Sequence, residues 1–267
     1  MKHNVIVAYL YTRFDNRKDI LKFVKNYKKN KSGYKHKLLI CFKLIDEKKI
    51  IDLRKILKNL KYVEFIDLHK NNDYDFGTYG RVSKQHKNKI IFFMNSHSYP
   101  IKKNWLKIIM KYYQPKTLIS CTGSYESHFS SLQIKKFYKF IKFIKDYFFY
   151  KKNFNKFPNP HIRTSSFLIR GNDFYNFNSK KDYKTKKDAW VSESGKNGLT
   201  SFFKKKKYKI LVINSDKKKF TENIWMLSET YCYKNQKKLL ISDMHTRKYE
   251  NLAKIDKLNS QKQVWGN

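Results

Sequence analysis

An apolar run, "IIFFM", ends at Met94 and gives way to four consecutive hydrogen-bonding residues, Asn95-Ser96-His97-Ser98. A buried strand that finishes this way calls for something polar at its carboxyl end. Three further stretches carry side chains fit for chemistry. "HKNNDYDFGTYGR" holds Asp73, Asp75 and Arg81, with Gly77 and Gly80 able to let a ligand approach the backbone or to take a positive φ. "KKDAWVSESGKNGLTSFF" places two carboxylates, Asp188 and Glu193, ahead of a helix expected at Leu199. In "PNPHIRTSSFLIR" two prolines impose an extended entry, and His161 and Arg163 come just before an apolar run. A carboxylate can take a proton from a reacting group, and Arg can pair with an anion. Each stretch also has a plainer reading. These are a capped turn into a helix at Val82, an N-cap with Pro in a loop, a carboxylate near a helix amino terminus, and a partly buried His at a strand start.

The elements that must position these residues alternate. Residues 5–11 read as a buried strand and 19–27 show apolar positions at helical spacing. A strand at 37–44, a helix at 48–60 and a strand at 62–68 follow. This βαβαβ opening predicts a mainly parallel sheet with right-handed crossovers, in which ligands gather at the carboxyl ends of the strands. The polar stretches after strands are therefore the places where a site is expected.

The 267 residues suit one large α/β domain, with 40% hydrophobic content to fill its core. Sixty basic residues against 21 acidic ones give a formal net charge of +39, which ordinarily points to nucleic acid or an anionic membrane. The basic set, however, is 53 Lys and only 7 Arg, spread over the whole length. A nucleic-acid reader is expected to favour Arg, whose planar fork binds phosphate and guanine bidentately. No RNP-like, helix-turn-helix or zinc-finger pattern is present, so no specific nucleic-acid partner is expected. Cys41, Cys121 and Cys232 are isolated and odd in number, which indicates neither a disulfide framework nor a zinc site and fits a reducing cytoplasm. The amino terminus reaches Arg13 and Asp15 too soon for a signal peptide, and no run approaches the ~20 apolar residues of a membrane span.

In their order, the opening strand and helix, the "NNDYDFGTY" loop, "FFMNSHSYPIKKNW" and "WVSESGKNGLTSFF" resemble the GT-A-type glycosyltransferases, near the family-2-like group. "NPHIRTSSFLIRGNDF" and "LLISDMHTRKYENLAKIDKLNSQKQVWG" look like segments of bacterial polysaccharide-associated glycosyltransferases. The resemblance spans nearly the whole chain and rests on shared order rather than on any single motif. It implies a GT-A-like α/β fold in one domain, 1–267. Residues 1–125 would form a nucleotide-sugar-binding half, 126–157 a basic amphipathic helical insertion, and 158–267 an acceptor half with a C-terminal helix. It also implies transfer of a sugar from a nucleotide-sugar donor to a glycan or lipid-linked acceptor.

Residue roles follow from that resemblance. In the group, the mid-domain strand ends in an Asp-x-Asp that holds a divalent metal; here Asn95 and His97 stand in those places. Mg²⁺ prefers carboxylate oxygens, whereas His tolerates Mn²⁺ and softer ions. The site is thus expected to bind metal weakly through His97, to work without metal using Lys or Arg against the diphosphate, or to be inactive. Asp73, Asp75, Gly77, Arg81, Asn95, Ser96 and His97 fall on the donor side. Glu193, with Asp188 second, is the expected general base for an inverting transfer, and His161 and Arg163 are expected to meet acceptor or phosphate.

Between the halves, Ile134, Phe137, Tyr138, Phe140, Ile141, Ile144, Tyr147 and Phe148 recur at helical intervals among lysines. Packing onto the domain is one reading of this stripe, and peripheral contact with an anionic membrane is the other. Two rivals to the transferase are a noncatalytic transferase-fold protein that binds glycan or nucleotide, and a basic nucleic-acid-binding protein.

Overall fold

The computed structural model describes residues 4–133 and 140–266. The chain opens with β1 (Val5–Thr12), α1 (Arg17–Lys29), β2 (His36–Lys43), α2 (Glu47–Leu57) and β3 (Val63–Asp67). Next come α3 (Tyr74–Gln85), β4 (Ile90–Met94), β5 (Tyr99–Pro100), α4 (Trp105–Met110), β6 (Thr117–Ser120), β7 (Gly123–Ser124) and α5 (Phe140–Asn153). They are followed by β8 (His161–Ile162), β9 (Ser166–Arg170), α6 (Gly171–Asn178), α7 (Lys186–Ser194), α8 (Leu199–Lys205), β10 (Lys209–Ile213) and β11 (Lys219–Phe220). A 3₁₀ helix at Glu222–Ser228, β12 (Ile241–Ser242), α9 (Met244–Glu250) and α10 (Lys254–Trp265) complete it.

β1 shows why the sheet is central. Val5, Val7, Tyr9 and Tyr11 belong to one buried cluster and Ile6, Ala8 and Leu10 to another, so both faces of the strand are covered. Phe23, Leu53 and Trp105, from α1, α2 and α4, pack on the first face. Phe76, Phe174 and Phe203, from α3, α6 and α8, pack on the second. Among the described residues eight strands form this sheet, in the order β11-β10-β6-β9-β4-β1-β2-β3. β1 runs parallel to β2 and β4, β2 to β3, and β6 to β10, while β9 lies antiparallel between β4 and β6. The α/β architecture with a mainly parallel sheet and flanking helices is the one the sequence predicts. The sheet crosses the expected division of the chain, because β9 of the second half pairs with β4 of the first.

The topology itself creates a crevice. From β1 the chain lays β2 and β3 to one side, then returns to place β4 on the other. The carboxyl ends of β1 and β4 are therefore adjacent at a switch point, where the loops leave in opposite directions. Because β9 is antiparallel, its amino end arrives at that same edge and brings Thr164 and Ser165 with it.

Two stretches read as loops are helical. Asp75, Gly77 and Gly80 lie in α3, which begins at Tyr74 rather than near Val82, and Glu193 lies in the last turn of α7 rather than in a glycine-flanked loop. Tertiary packing overrides the weak helix propensity of glycine in α3. A Cβ on Gly77 would stand 1.9 Å from Asp73 Oδ2, and one on Gly80 would stand 2.1 Å from Asn178 Nδ2. Of the expected amphipathic insertion, Ile134, Phe137 and Tyr138 lie outside the described residues, and the remainder forms α5. No helix among the described residues is long and apolar enough to cross a membrane.

Candidate active site

A cleft of about 650 Å³ opens at the switch-point edge of the sheet. Six expected residues line it together: Asp75, Asn95, His97, His161, Arg163 and Glu193. They arrive on four pieces of backbone. Asp75 is in the first turn of α3, Asn95 and His97 follow β4, His161 and Arg163 lead into β9, and Glu193 ends α7.

Glu193 works against its helix, since a carboxylate in the last turn faces the negative end of the macrodipole. Two hydrogen bonds offset this. Thr164 donates its backbone N–H and its hydroxyl to Oε1, both at 2.8 Å. Oε2 accepts no hydrogen bond from the described residues and is available to a ligand. Asp75 is half-buried, and burial together with the like charges of Asp15 and Glu193 pushes its carboxyl up to about 6, against the pull of Lys43 and His97. His161 Nδ1 meets the Asn159 carbonyl at 2.8 Å, so Nδ1 holds a proton and Nε2 is the free nitrogen. Burial lowers its pKa, opposed by the nearby Glu193.

The expected residues that lie elsewhere have identifiable reasons. Asp73 and Arg81 are engaged with each other. Arg81 donates to both Asp67 oxygens at 2.7 and 2.6 Å and to both Asp73 oxygens at 2.6 and 3.1 Å, and Lys43 adds a further bond to Asp73. Arg81 is therefore not a free cation for a diphosphate. Gly77 gives close approach to the Asp73 carboxylate rather than to a ligand. Ser96 turns from the cleft to donate to Asp15 Oδ1 at 2.6 Å. Asp188 caps its own helix, accepting from Thr185 N at 2.7 Å and Thr185 Oγ1 at 2.9 Å, and does not line the cleft. Arg163 lines the cleft but is also committed. Its Nη1 lies 2.7 Å from Asp243 Oδ2 and its guanidinium stacks 3.9 Å above the Tyr231 ring. Burial would push Asp243 up, yet Arg163, Ser165 and Thr246 hold it at about 2.

The polar side chains after β4 meet partners within the protein. Asn95 Oδ1 already accepts from Ser98 Oγ at 2.7 Å. His97 Nε2 and Nδ1 lie 3.6 Å from Asp15 Oδ1 and 3.4 Å from Asp19 Oδ1. Among the described residues no three His, Cys, Asp or Glu side chains are grouped to hold a metal ion. His97, the expected metal ligand, stands between the Asp15 and Asp19 carboxylates.

Sequence reasoning passed over several contributors. Asp15, one loop beyond β1, accepts from Thr12 and Ser96 and faces His97. Its signal was its place after the first strand at the shared edge. Trp190, one turn before Glu193, also lines the cleft. On the far wall, α9 supplies His245 and Lys248, and Lys248 makes no ion pair among the described residues. Arg247 ties α9 to the β4 loop by donating to the His97 carbonyl at 3.0 Å.

No family model matches the chain, and neither does any curated protein. Among solved structures it is similar to the apo-form glycosyltransferase GlyE of Streptococcus pneumoniae TIGR4, with 11% identity, 78% of this chain and 45% of that chain covered, and a TM-score of 0.45. It is similar to the mannosyltransferase Ktr4p of S. cerevisiae in complex with GDP, with 10% identity, coverage of 71% and 61%, and a TM-score of 0.39. A third similarity is to mannose-6-phosphate isomerase of Helicobacter pylori, with 15% identity, coverage of 64% and 72%, and a TM-score of 0.39. The chain spans less than two thirds of the length of both transferases.

Proposed function

We propose that the chain is a glycosyltransferase that moves a sugar, a hexose by the family resemblance, from a nucleotide-sugar donor to a glycan or lipid-linked acceptor in surface polysaccharide synthesis. The observation that carries this reading is the position of Glu193. Thr164 fixes one oxygen of its carboxylate, the other is open, and Asn95 and His97 line the same cleft at the sheet's switch point. The donor would lie toward Asp75, Asn95 and His97, with its ribose or base against Asp75, and the acceptor toward Glu193 and His161.

In the inverting reaction Glu193 takes the proton of the acceptor hydroxyl as that oxygen attacks the anomeric carbon. The bond from that carbon to the diphosphate oxygen breaks, and the electron pair leaves with the nucleoside diphosphate. Positive charge must meet that anion. Arg81 and Arg163 are already paired with carboxylates, so the role falls to Lys248 and to the other lysine of the cleft, Lys186.

Release of nucleoside diphosphate from a panel of nucleotide sugars, with and without glycan acceptors, tests the reading. Glu193→Gln keeps shape and hydrogen bonding but deletes the base, so turnover is expected to fall ~10²- to 10⁴-fold with donor binding nearly unchanged. An undiminished rate for this variant removes Glu193 from the reaction. Donor binding by the natural chain without any turnover would favour the noncatalytic glycan- or nucleotide-binding reading, for which Asn95 and His97 in place of paired carboxylates is the motive.

A further inference from the structure

α5 is the one part of the expected amphipathic segment whose two faces can be compared. Its inner face is anchored to the domain. Tyr147 packs against Phe129 with ring centroids 5.5 Å apart, Tyr150 is buried beside His128, and Asp146 is bound to Lys187 of α7 at 2.5 Å. The opposite face carries Ile141, Ile144 and Phe148, spaced by three and four residues and therefore in one stripe. They are exposed at 72%, 39% and 64%. Exposed lysines at 142, 145, 151 and 152 surround that stripe.

We propose that this outer face of α5 is a docking surface for an anionic lipid bilayer. The charge pattern selects the occupant. Asp146 is the only acid in α5 and is turned inward onto Lys187, so the exposed face offers apolar side chains bracketed solely by lysines. Lysine ammonium groups on long stems reach headgroup phosphates while Ile and Phe enter the acyl boundary beneath them. Each lysine near such a surface adds attraction, and the chain's +39 charge steers the same approach without choosing a face. The apolar stripe supplies that choice. The surface is also coupled to the cleft, because α7 holds Asp146 through Lys187 and presents Trp190 and Glu193 to the cavity a turn further on. Docking through α5 would hold the cavity beside the bilayer, where a lipid-linked substrate resides.

This inference stands or falls independently of sugar transfer, since its test reads vesicle binding alone. The full chain is floated with vesicles of phosphatidylcholine containing about a third phosphatidylglycerol, and with phosphatidylcholine alone. The natural chain is expected to float with the anionic vesicles and to remain largely free of the neutral ones. Ile141→Ser combined with Phe148→Ser leaves the net charge untouched and changes only exposed side chains. It is expected to weaken partition onto anionic vesicles at least about tenfold, with circular dichroism and melting unchanged. Leu21→Ser with Ile51→Ser, exposed at 46% and 47% on α1 and α2, is expected to bind as the natural chain does. The proposal is overturned if the natural chain ignores anionic vesicles. It is likewise overturned if the α5 variant binds undiminished, or if both variants lose binding equally.

Discussion

Asp73 and Asp75 are two residues apart at the start of one helix, yet they stand in opposite electrostatic settings. Asp73 is enclosed by cations. Burial would raise its carboxyl, but hydrogen bonds from Arg81 and Lys43 hold it below its ordinary range. Asp75 faces the cleft, where burial and the neighbouring Asp15 and Glu193 push it up to about 6. Asp73 belongs to a closed network in which Arg81 joins it to Asp67, and Thr78 donates to Asp67 Oδ2 at 2.5 Å. Asp75 belongs to an open group of like charges that a ligand's donors would relieve. The difference separates a device that holds α3 to the ends of β2 and β3 from one poised to bind, and acidity alone distinguishes neither.

Three measurements bear on that contrast. The largest effect is expected from Arg81→Met, which leaves Asp67 and Asp73 without their shared cation. Stability should fall by about 2–4 kcal/mol, the lower part of the range for breaking buried pairs because Arg81 is partly exposed. A melting temperature equal to that of the natural chain would show that the network does not hold α3. Gly77→Ala is expected to cost about 1–3 kcal/mol, because the new methyl meets a carboxylate pinned on two sides and overpacking outweighs the gain in helix propensity. Chemical denaturation with no loss would mean that Asp73 can swing aside.

The smallest effect has the most diagnostic sign. A carboxylate whose folded pKa is raised contributes stability that is fully present below its unfolded pKa, about 3.9, and lost as pH rises through the folded value. For Asp75 that window runs up to about 6. The natural chain should therefore lose about 1–2 kcal/mol across it relative to Asp75→Asn, after allowance for partial solvent contact. Asp73, lowered on folding, acts in the opposite sense and loses its contribution as pH falls below about 3.9. Parallel pH profiles for Asp75→Asn and the natural chain would contradict the open setting of Asp75.

The sheet was readable because its strands are short, nearly continuous apolar runs, and "VIVAYLY" permits little else. The edge carrying the site followed from strand order, which is why Asp75, Asn95, His97, His161, Arg163 and Glu193 converge. What the sequence withheld was partnership. Nothing local distinguishes Arg81, held by two carboxylates across the ends of strands, from a lysine such as Lys248 that makes no ion pair among the described residues. Helix α3 was misread because its glycines signal a turn in isolation, and only the Asp73 carboxylate and Asn178 pressing on them explain their use. Asp15 was overlooked because it lies in the loop four residues beyond the apolar run that ends at Tyr11, and its value depends on His97 and Ser96 arriving from β4.

The antiparallel strand β9 carries a consequence for how the molecule comes into being. It can pair with β4 only after the long stretch between them has been synthesised, and Glu193 and Asp243 follow later still. Contacts between segments so distant in sequence form slowly, because closing the intervening loop costs entropy before any pairing rewards it. During synthesis the Asn95-Ser96-His97 turn is therefore made early and waits without an opposing wall. A nascent chain released before β9 emerges would carry half a cleft and an unpaired β4 edge, a state that invites association with other strands rather than chemistry.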